Sequence, residues 1–191
     1  IYMTNFVKKS LRQTLKAIRA NLTPQFQERS SRAVCRQIQK IEAYRYAKRI
    51  ALYHPFLGEI SLQAIWTSAP YQGKFCYFPA LTEAKTLLFL PATPKTPFEK
   101  NQFGIPEPSV SKVTAILPDE LDIIFLPLLG FDPNGTRLGM GQGYYDRTLS
   151  NHPKAILIGI AYDFQKQILM PEPWDVRMDA VVTPTMIYWS M

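Results

Sequence analysis

Two cysteines in 191 residues, Cys35 and Cys76, are too few for a disulfide scaffold or a Cys-rich zinc fold. One sits in a helical pattern and the other in an apolar run, which suits buried thiols. Histidine is equally scarce, with two copies. No stretch approaches the roughly 20 uninterrupted apolar residues of a membrane helix. No basic segment leads into an apolar run near the first residues. Neither a spanning segment nor a secretory leader is expected, and the cytoplasm is the expected location. Low-complexity tracts and internal repeats are also missing. Charged residues make up 19% against 47% apolar, so intrinsic disorder is excluded and material for a core is ample. At ~150 residues per domain, the length suits a single domain over residues 1–191.

Acidic residues are nearly absent from the first fifty positions. Basic side chains, Lys8, Arg12, Lys16 and Arg19 among them, recur there against only Glu28 and Glu42. The formal net charge of +7 originates in this region, and the remainder is slightly acidic. Such a surplus suits nucleic acid, an acidic membrane surface, a polyanionic small molecule or simply water. No aromatic–basic interleaving or RNA-binding signature accompanies it, so neither nucleic acid nor membrane is the expected partner.

Leu11, Leu15, Ile18 and Leu22 recur at helical spacing. Thr23-Pro24 then supplies an N-cap and a first turn for a second stripe through Phe26, Val34, Ile38 and Ile41. Beyond Arg49 the pattern changes to short apolar runs closed by Pro or Gly. They are Ile50–Tyr53, Phe75–Phe78, Leu87–Leu90, Ile123–Leu126, Ala155–Ile160 and Val181-Val182. Runs without alternation suit strands buried on both faces. The pattern predicts an α/β fold with a mostly parallel central sheet and helices on both faces. This would be one compact three-layer domain opened by two basic helices. In such sheets ligands sit beyond the carboxyl ends of the strands.

Glycine is scarce too, at nine copies, yet five of them fall between residues 130 and 143. Asp132-Pro133-Asn134-Gly135 is a turn signal. Gly139, Gly141 and Gly143 then alternate with Met140 and Gln142, so backbone N–H groups can approach an anion closely. Arg137 precedes them as a cation able to make two bonds to phosphate. Tyr144 begins a helix, and Asp146, one turn in, suits a divalent cation bridging phosphates. Alternatively, the segment is a packing loop with Asp146 as a helix-start acid. It is neither a P-loop, lacking Gly-Lys-Ser/Thr, nor a dinucleotide fingerprint.

The run Arg137-Leu138-Gly139-Met140-Gly141-Gln142-Gly143-Tyr144-Tyr145-Asp146, with Leu126-Pro127 and Gly130-Phe131-Asp132 before it, closely resembles the 5-formyltetrahydrofolate cyclo-ligase (methenyltetrahydrofolate synthetase) family. Lys8-Lys9-Ser10-Leu11-Arg12, Glu59 and Phe103-Gly104-Ile105-Pro106-Glu107-Pro108 match in the same order, and the resemblance spans about Lys8 to Val182. It implies an ATP- and Mg2+-dependent ligase that turns 5-formyltetrahydrofolate into 5,10-methenyltetrahydrofolate, with a monomeric chain and folates that can be polyglutamylated. Under it, Lys8 and Arg12 touch ATP together with Arg137 through Tyr145. Arg137, Tyr144 and Asp146 are the catalytic residues, and Asp146 and Asp179 serve Mg2+. Glu59 binds the pterin, with His54, Phe103, Gly141, Gln142, Gly143 and Tyr144 as further substrate contacts. Gln142 stands where the family often has Gly or Lys, a difference that bears on ATP affinity. Read alone, Glu59 also suits a helix start, His54 a structural histidine and Asp179 a turn before a strand. A nucleic-acid module and a non-catalytic nucleotide-binding regulator are the competing functional classes.

Overall fold

A computed structural model describes residues 5–151 and 153–190. The two opening stripes become α1 (Asn5–Ala20) and α2 (Pro24–Lys40). Thr23 caps α2 as its spacing implies: the hydroxyl accepts from the Phe26 N–H at 3.2 Å, and Pro24 takes the first turn. The short α3 (Glu42–Tyr46) leads into β1 (Arg49–Ala51), α4 (Gln63–Ser68), β2 (Phe75–Leu81) and β3 (Leu87–Pro91). A Pro-rich stretch, residues 91–108, contains a ribbon of β4 (Phe98–Lys100) and β5 (Pro106–Pro108). Next come β6 (Ile123–Pro127), a second ribbon of β7 (Gly130–Phe131) and β8 (Arg137–Leu138), and the one-turn α5 (Tyr144–Thr148). The chain closes with β9 (Ile156–Ile160), β10 (Ala180–Val182) and β11 (Ile187–Trp189).

Seven strands form one sheet in the order β11-β10-β9-β6-β1-β2-β3. The five inner strands are parallel, and both edge strands run antiparallel to their neighbours. The Leu87–Leu90 run is antiparallel because residues 82–86 are too few for a crossover. They close a hairpin instead, with Thr82 N–H donating to Thr86 O at 3.0 Å.

Successive residues of each inner strand point to opposite faces. Ile50, Leu52, Phe125, Ile158 and Ile160 pack under α2, α3 and α4 through Val34, Ile38, Tyr44 and Ile65. Ala51, Ile124, Leu126, Leu157 and Val181 form the other face, covered by Phe131, Leu149, Val176 and Met178. The mostly parallel sheet matches the sequence pattern, but its layers are uneven. The long α2 with the short α3 and α4 covers one face, while a ribbon, a loop and the end of α5 cover the second. Glycine and proline crowd the connections after β6, so no long helix can form there. Both cysteines are buried and unpaired with each other.

Gly135 shows how tightly that second face is packed. Its φ is +92°, and a Cβ there would overlap the Met178 carbonyl oxygen and sit 2.6 Å from Ser190 Oγ. Gly135→Ala is therefore expected to cost ~2–4 kcal/mol, from left-handed strain plus overpacking. Urea unfolding monitored by tryptophan fluorescence would measure it.

α1 stands apart from the sheet. Leu15 packs with Leu138 and Leu169, so the helix lies against β8 and the 169 region, over the carboxyl ends of the inner strands. Its buried stripe differs from the hydropathy reading. Ile18 is 43% exposed, whereas Arg19 is 1% exposed. One turn beyond Leu15, Arg19 takes the inward position because its guanidinium finds carbonyl partners beneath the helix.

Candidate active site

A cavity of about 790 Å³ opens at the carboxyl ends of β1, β2 and β6. That volume falls within the range of small-molecule sites. Residues from α1, the segment after β1, the β4–β5 ribbon and the loop joining β8 to α5 line it. Lys8, Arg12, His54, Glu59, Phe103 and every residue from Arg137 to Asp146 face this one space. Side chains far apart in sequence, from Lys8 to Asp146, thus line one cavity.

The loop is held open by cations and by missing Cβ atoms. Gly141 has φ +97° and Gly143 φ +68°, the latter forming the N-cap of α5. A Cβ on Gly143 would meet Arg147 Nη1 at 2.8 Å. Arg147 braces the loop, donating from Nη2 to Gln142 O at 2.6 Å and from Nε to Lys85 O at 2.8 Å. Its guanidinium lies 5.4 Å from the centre of the Tyr144 ring, and that ring meets Phe103 edge-on. Arg12 donates from Nε to Gly139 O at 2.9 Å and packs against Gly141. At five residues α5 has little macrodipole of its own. Five cations, Lys8, Arg12, Lys16, Arg137 and Arg147, share the cavity wall with the carboxylates of Glu59, Glu107, Asp146, Glu172 and Asp175.

Arg137 is nearly buried. Its side chain is 4% exposed, with Nη2 donating to Asp146 Oδ1 at 2.7 Å and the guanidinium 5.7 Å from the Tyr145 ring centre. Its Nη1 is buried and has no hydrogen-bond partner. An unpaired charged donor at a cavity wall is costly unless an anion joins it. Burial pushes the Tyr145 phenol far above its ordinary value; Glu59 adds to this and Arg137 opposes it.

The carboxylate of Glu59 is also nearly buried. Its Oε2 accepts from Phe56 N–H at 3.0 Å, and its Oε1 lies 3.5 Å from Arg19 Nη2. Burial raises its pKa to about 7, with Arg19 and the Phe56 amide holding it down. His54 stacks on Phe78 at 4.7 Å and meets Phe98 edge-on at 4.6 Å. Burial lowers its pKa, so the ring is neutral, and its buried Nε2 has no partner.

The sequence model of the 5-formyltetrahydrofolate cyclo-ligase family matches residues 5–184. This chain belongs to that family. A family member from Haemophilus influenzae, named 5-formyltetrahydrofolate cyclo-ligase, is 42% identical over 176 residues, covering 90% of this chain and 94% of its own. The Escherichia coli K12 protein of the same name is 36% identical, with 89% and 96% covered. The solved structure of Aquifex aeolicus 5,10-methenyltetrahydrofolate synthetase superposes with a TM-score of 0.83 at 30% identity, covering 96% of this chain and 92% of that one.

Within this family member, one expected residue stands elsewhere. Asp179 does not line the cavity. Its Oδ2 accepts from Leu157 N–H at 2.7 Å, and its backbone bonds Leu157 and Ser190. The carboxylate is thus taken up at the entry to β9 and β10. Three residues that sequence reading passed over prove important to the site. Arg19 contacts Glu59, Arg147 braces the glycine-rich loop, and Glu172 pairs with Lys8 at 2.7 Å. Only Arg147 had a local signal, lying four residues after Gly143 on the same helical turn.

Proposed function

We propose that this chain carries out the ATP-dependent cyclisation of 5-formyltetrahydrofolate to 5,10-methenyltetrahydrofolate, releasing ADP and phosphate. The observation that carries the reading is the unpaired, buried Nη1 of Arg137 at the wall of the cavity, beside Asp146 and the glycine-rich loop. The names of the relatives agree with it.

A formamide is a weak electrophile with a poor leaving oxygen. Transfer of the γ-phosphoryl of ATP to that oxygen gives an iminium-like phosphate ester. Attack by N10 closes the five-membered ring and releases the N10 proton, and phosphate then leaves with the C–O bonding electrons. Such a transfer needs positioning and charge neutralisation more than a protein nucleophile. Arg137 supplies a fixed fork for the phosphoryl oxygens, Arg12 and Lys8 add charge, and the loop from Leu138 to Gly143 offers backbone N–H groups. Tyr144 and Phe103 form an aromatic wall for the folate, and neutral His54 adds an uncharged donor or acceptor. Glu59 accepts from the amino and N–H donors of the pterin's pyrimidine edge.

Among the described residues, no group of three or more His, Cys, Asp or Glu could hold a metal alone. Mg2+ fits as an ion shared with the nucleotide's phosphates, for which one carboxylate suffices. Asp146 fits that role, since it faces the cavity and Arg137 engages one of its oxygens. When bound, the ion neutralises phosphate charge. Asp179→Ala is expected to lower stability by about 1–2 kcal/mol through the orphaned Leu157 N–H. The Mg2+ concentration for half-maximal activity should not move, and a Mg2+ titration beside a thermal melt checks both.

The reading takes the chain as a single-domain, monomeric, cytoplasmic enzyme. Polyglutamylated folates suit it as well, because the cations of α1 at the cavity would attract a polyanionic tail. No helix among the described residues is long and apolar enough to cross a membrane. The test follows absorbance of methenyltetrahydrofolate formed from 5-formyltetrahydrofolate, with ATP and Mg2+ omitted in turn. Product that requires every component is expected. No product from protein shown calorimetrically to bind ATP would overturn the reading in favour of a nucleotide-binding regulator.

A further inference from the structure

The turn that delivers Glu59 into the cavity is held by a residue outside the cavity. Glu59 N–H donates to Phe56 O at 3.2 Å, and the two residues between them, Leu57 and Gly58, have φ of +48° and +76°. Left-handed geometry at both central positions is the pattern of a type I′ turn. Leucine adopts it poorly, and Leu57 is 55% exposed, so its side chain gains little from packing. The turn therefore needs outside support.

Arg19 provides most of that support. Nε donates to Leu57 O at 2.8 Å, Nη2 reaches Phe56 O at 3.5 Å, and Nη1 donates to Leu128 O at 3.1 Å. The same Nη2 lies 3.5 Å from Glu59 Oε1. Tyr162 completes the set, its hydroxyl donating to Gly58 O at 2.9 Å. Helix and turn also touch directly, because a Cβ on Gly58 would stand 3.0 Å from Arg19 O and 3.3 Å from Arg19 Cγ.

We propose that Arg19 is a positioning residue for folate recognition: it fixes the Phe56–Glu59 turn and keeps the Glu59 carboxylate aimed into the cavity. The proposal rests on the reading of Glu59 as the pterin-binding group. The groups facing Glu59 are Arg19 from α1, Tyr53 after β1, Tyr145 on α5 and Tyr162 after β9. All three phenols are pushed up by burial and carry no charge near neutral pH. Arg19 is the ion-pair partner of this carboxylate. Without it, burial opposed by the Phe56 amide alone would favour the protonated acid more strongly, a poor acceptor for two N–H donors.

The experiment compares Arg19→Met, Arg19→Lys and Gly58→Ala with wild type, using Glu59→Gln as reference. Separate KM values for 5-formyltetrahydrofolate and ATP are measured, with the pH profile of kcat/KM for the folate. Arg19→Met should raise the folate KM by about tenfold or more, leave the ATP KM within about twofold, and move the acidic limb upward by about one pH unit. Arg19→Lys should restore part of the limb, since charge returns without the fork. Gly58→Ala presses on the Arg19 contact from the other side and should show a smaller loss of the same kind. It decides the matter should Arg19→Met fail to fold.

Equal increases in both KM values, or a lower melting temperature with an unchanged folate KM and pH limb, would overturn the proposal. The outcomes separate it from the reading beneath it. If Glu59→Gln leaves the folate KM unchanged, the pterin-binding role of Glu59 fails and this inference goes with it. If Glu59→Gln raises that KM while Arg19→Met and Gly58→Ala do not, the role of Arg19 alone is wrong.

Discussion

Replacing Arg137 with alanine is expected to lower kcat by about 10³–10⁵-fold while the protein still unfolds cooperatively. The magnitude is that of removing an arginine from a phosphoryl-transfer site, where charge on the equatorial oxygens must be met by preorganised donors. The geometry suits so large an effect. The guanidinium is 4% exposed, anchored through Nη2 on Asp146, and presents a buried Nη1 with no other partner. It is therefore already placed before substrate arrives, and little reorganisation accompanies the transfer. Arg137→Lys keeps the charge but loses the planar fork, so a loss of about 10–10²-fold is expected. The fold should tolerate both changes. Asp146 is 29% exposed, and water can solvate its carboxylate once the arginine is gone. A stability cost of no more than about 1–2 kcal/mol follows. Steady-state kinetics and a thermal melt on the same preparation separate the two quantities. An alanine variant retaining a tenth of wild-type turnover would remove Arg137 from the mechanism.

The sheet was legible because parallel strands buried on both faces must be continuously apolar, and Pro127 marks where one such run ends, although β2 continues past Pro79 to Leu81. Local composition could not show which neighbour each run would take. The hairpin of β2 with β3 follows from a short connection, and the β4–β5 ribbon lies within the Pro-rich residues 91–108, where no apolar run signals a strand. The site was legible for a different reason. Left-handed backbone favours glycine, so Gly141 and Gly143 announce themselves in a chain with few glycines. Arg19 did not, because hydropathy assigns a charged side chain to solvent, and the carbonyls that draw it inward lie 37 to 109 residues away. Lys8 shows the same blindness. Its expected role at a phosphate stands beside an ion pair with Glu172 that no local pattern encodes. Asp179 is the converse. A carboxylate beside a strand looks available in sequence, but the parallel pairing of β9 and β10 gives it a backbone amide to hold. The basic surplus of the first fifty residues likewise has an inward component, since Lys8, Arg12, Lys16 and Arg19 all reach the cavity or the turn behind it.

Glu59→Gln is expected to move activity and stability in opposite directions, and the pH dependence shows why. The two donors of a pyrimidine edge require two acceptor oxygens. An amide presents one oxygen and one N–H, so a donor meets a donor in a buried place. Loss of one charge-assisted bond and exclusion of a second corresponds to roughly 3–4 kcal/mol, or about 10²–10³-fold in kcat/KM for the folate. In wild type that ratio should climb as pH rises through about 7, where Glu59 ionises in the folded protein, and the limb should be absent in the glutamine variant. Stability follows the other sign. The folded-state carboxyl near 7 lies above the ordinary 4.5, so the native state binds this proton more tightly than the unfolded chain. Its stabilising contribution is complete below about pH 4.5 and is lost as pH rises through 7, a change of roughly 3 kcal/mol. Glutamine has no proton to lose there. The stability of Glu59→Gln relative to wild type should therefore grow between pH 5 and pH 8, read by urea unfolding at each pH. A constant difference across that window would mean that Glu59 is ionised throughout. A less active variant gaining in relative stability with pH would identify Glu59 as a group whose buried charge is kept for binding at the expense of the fold.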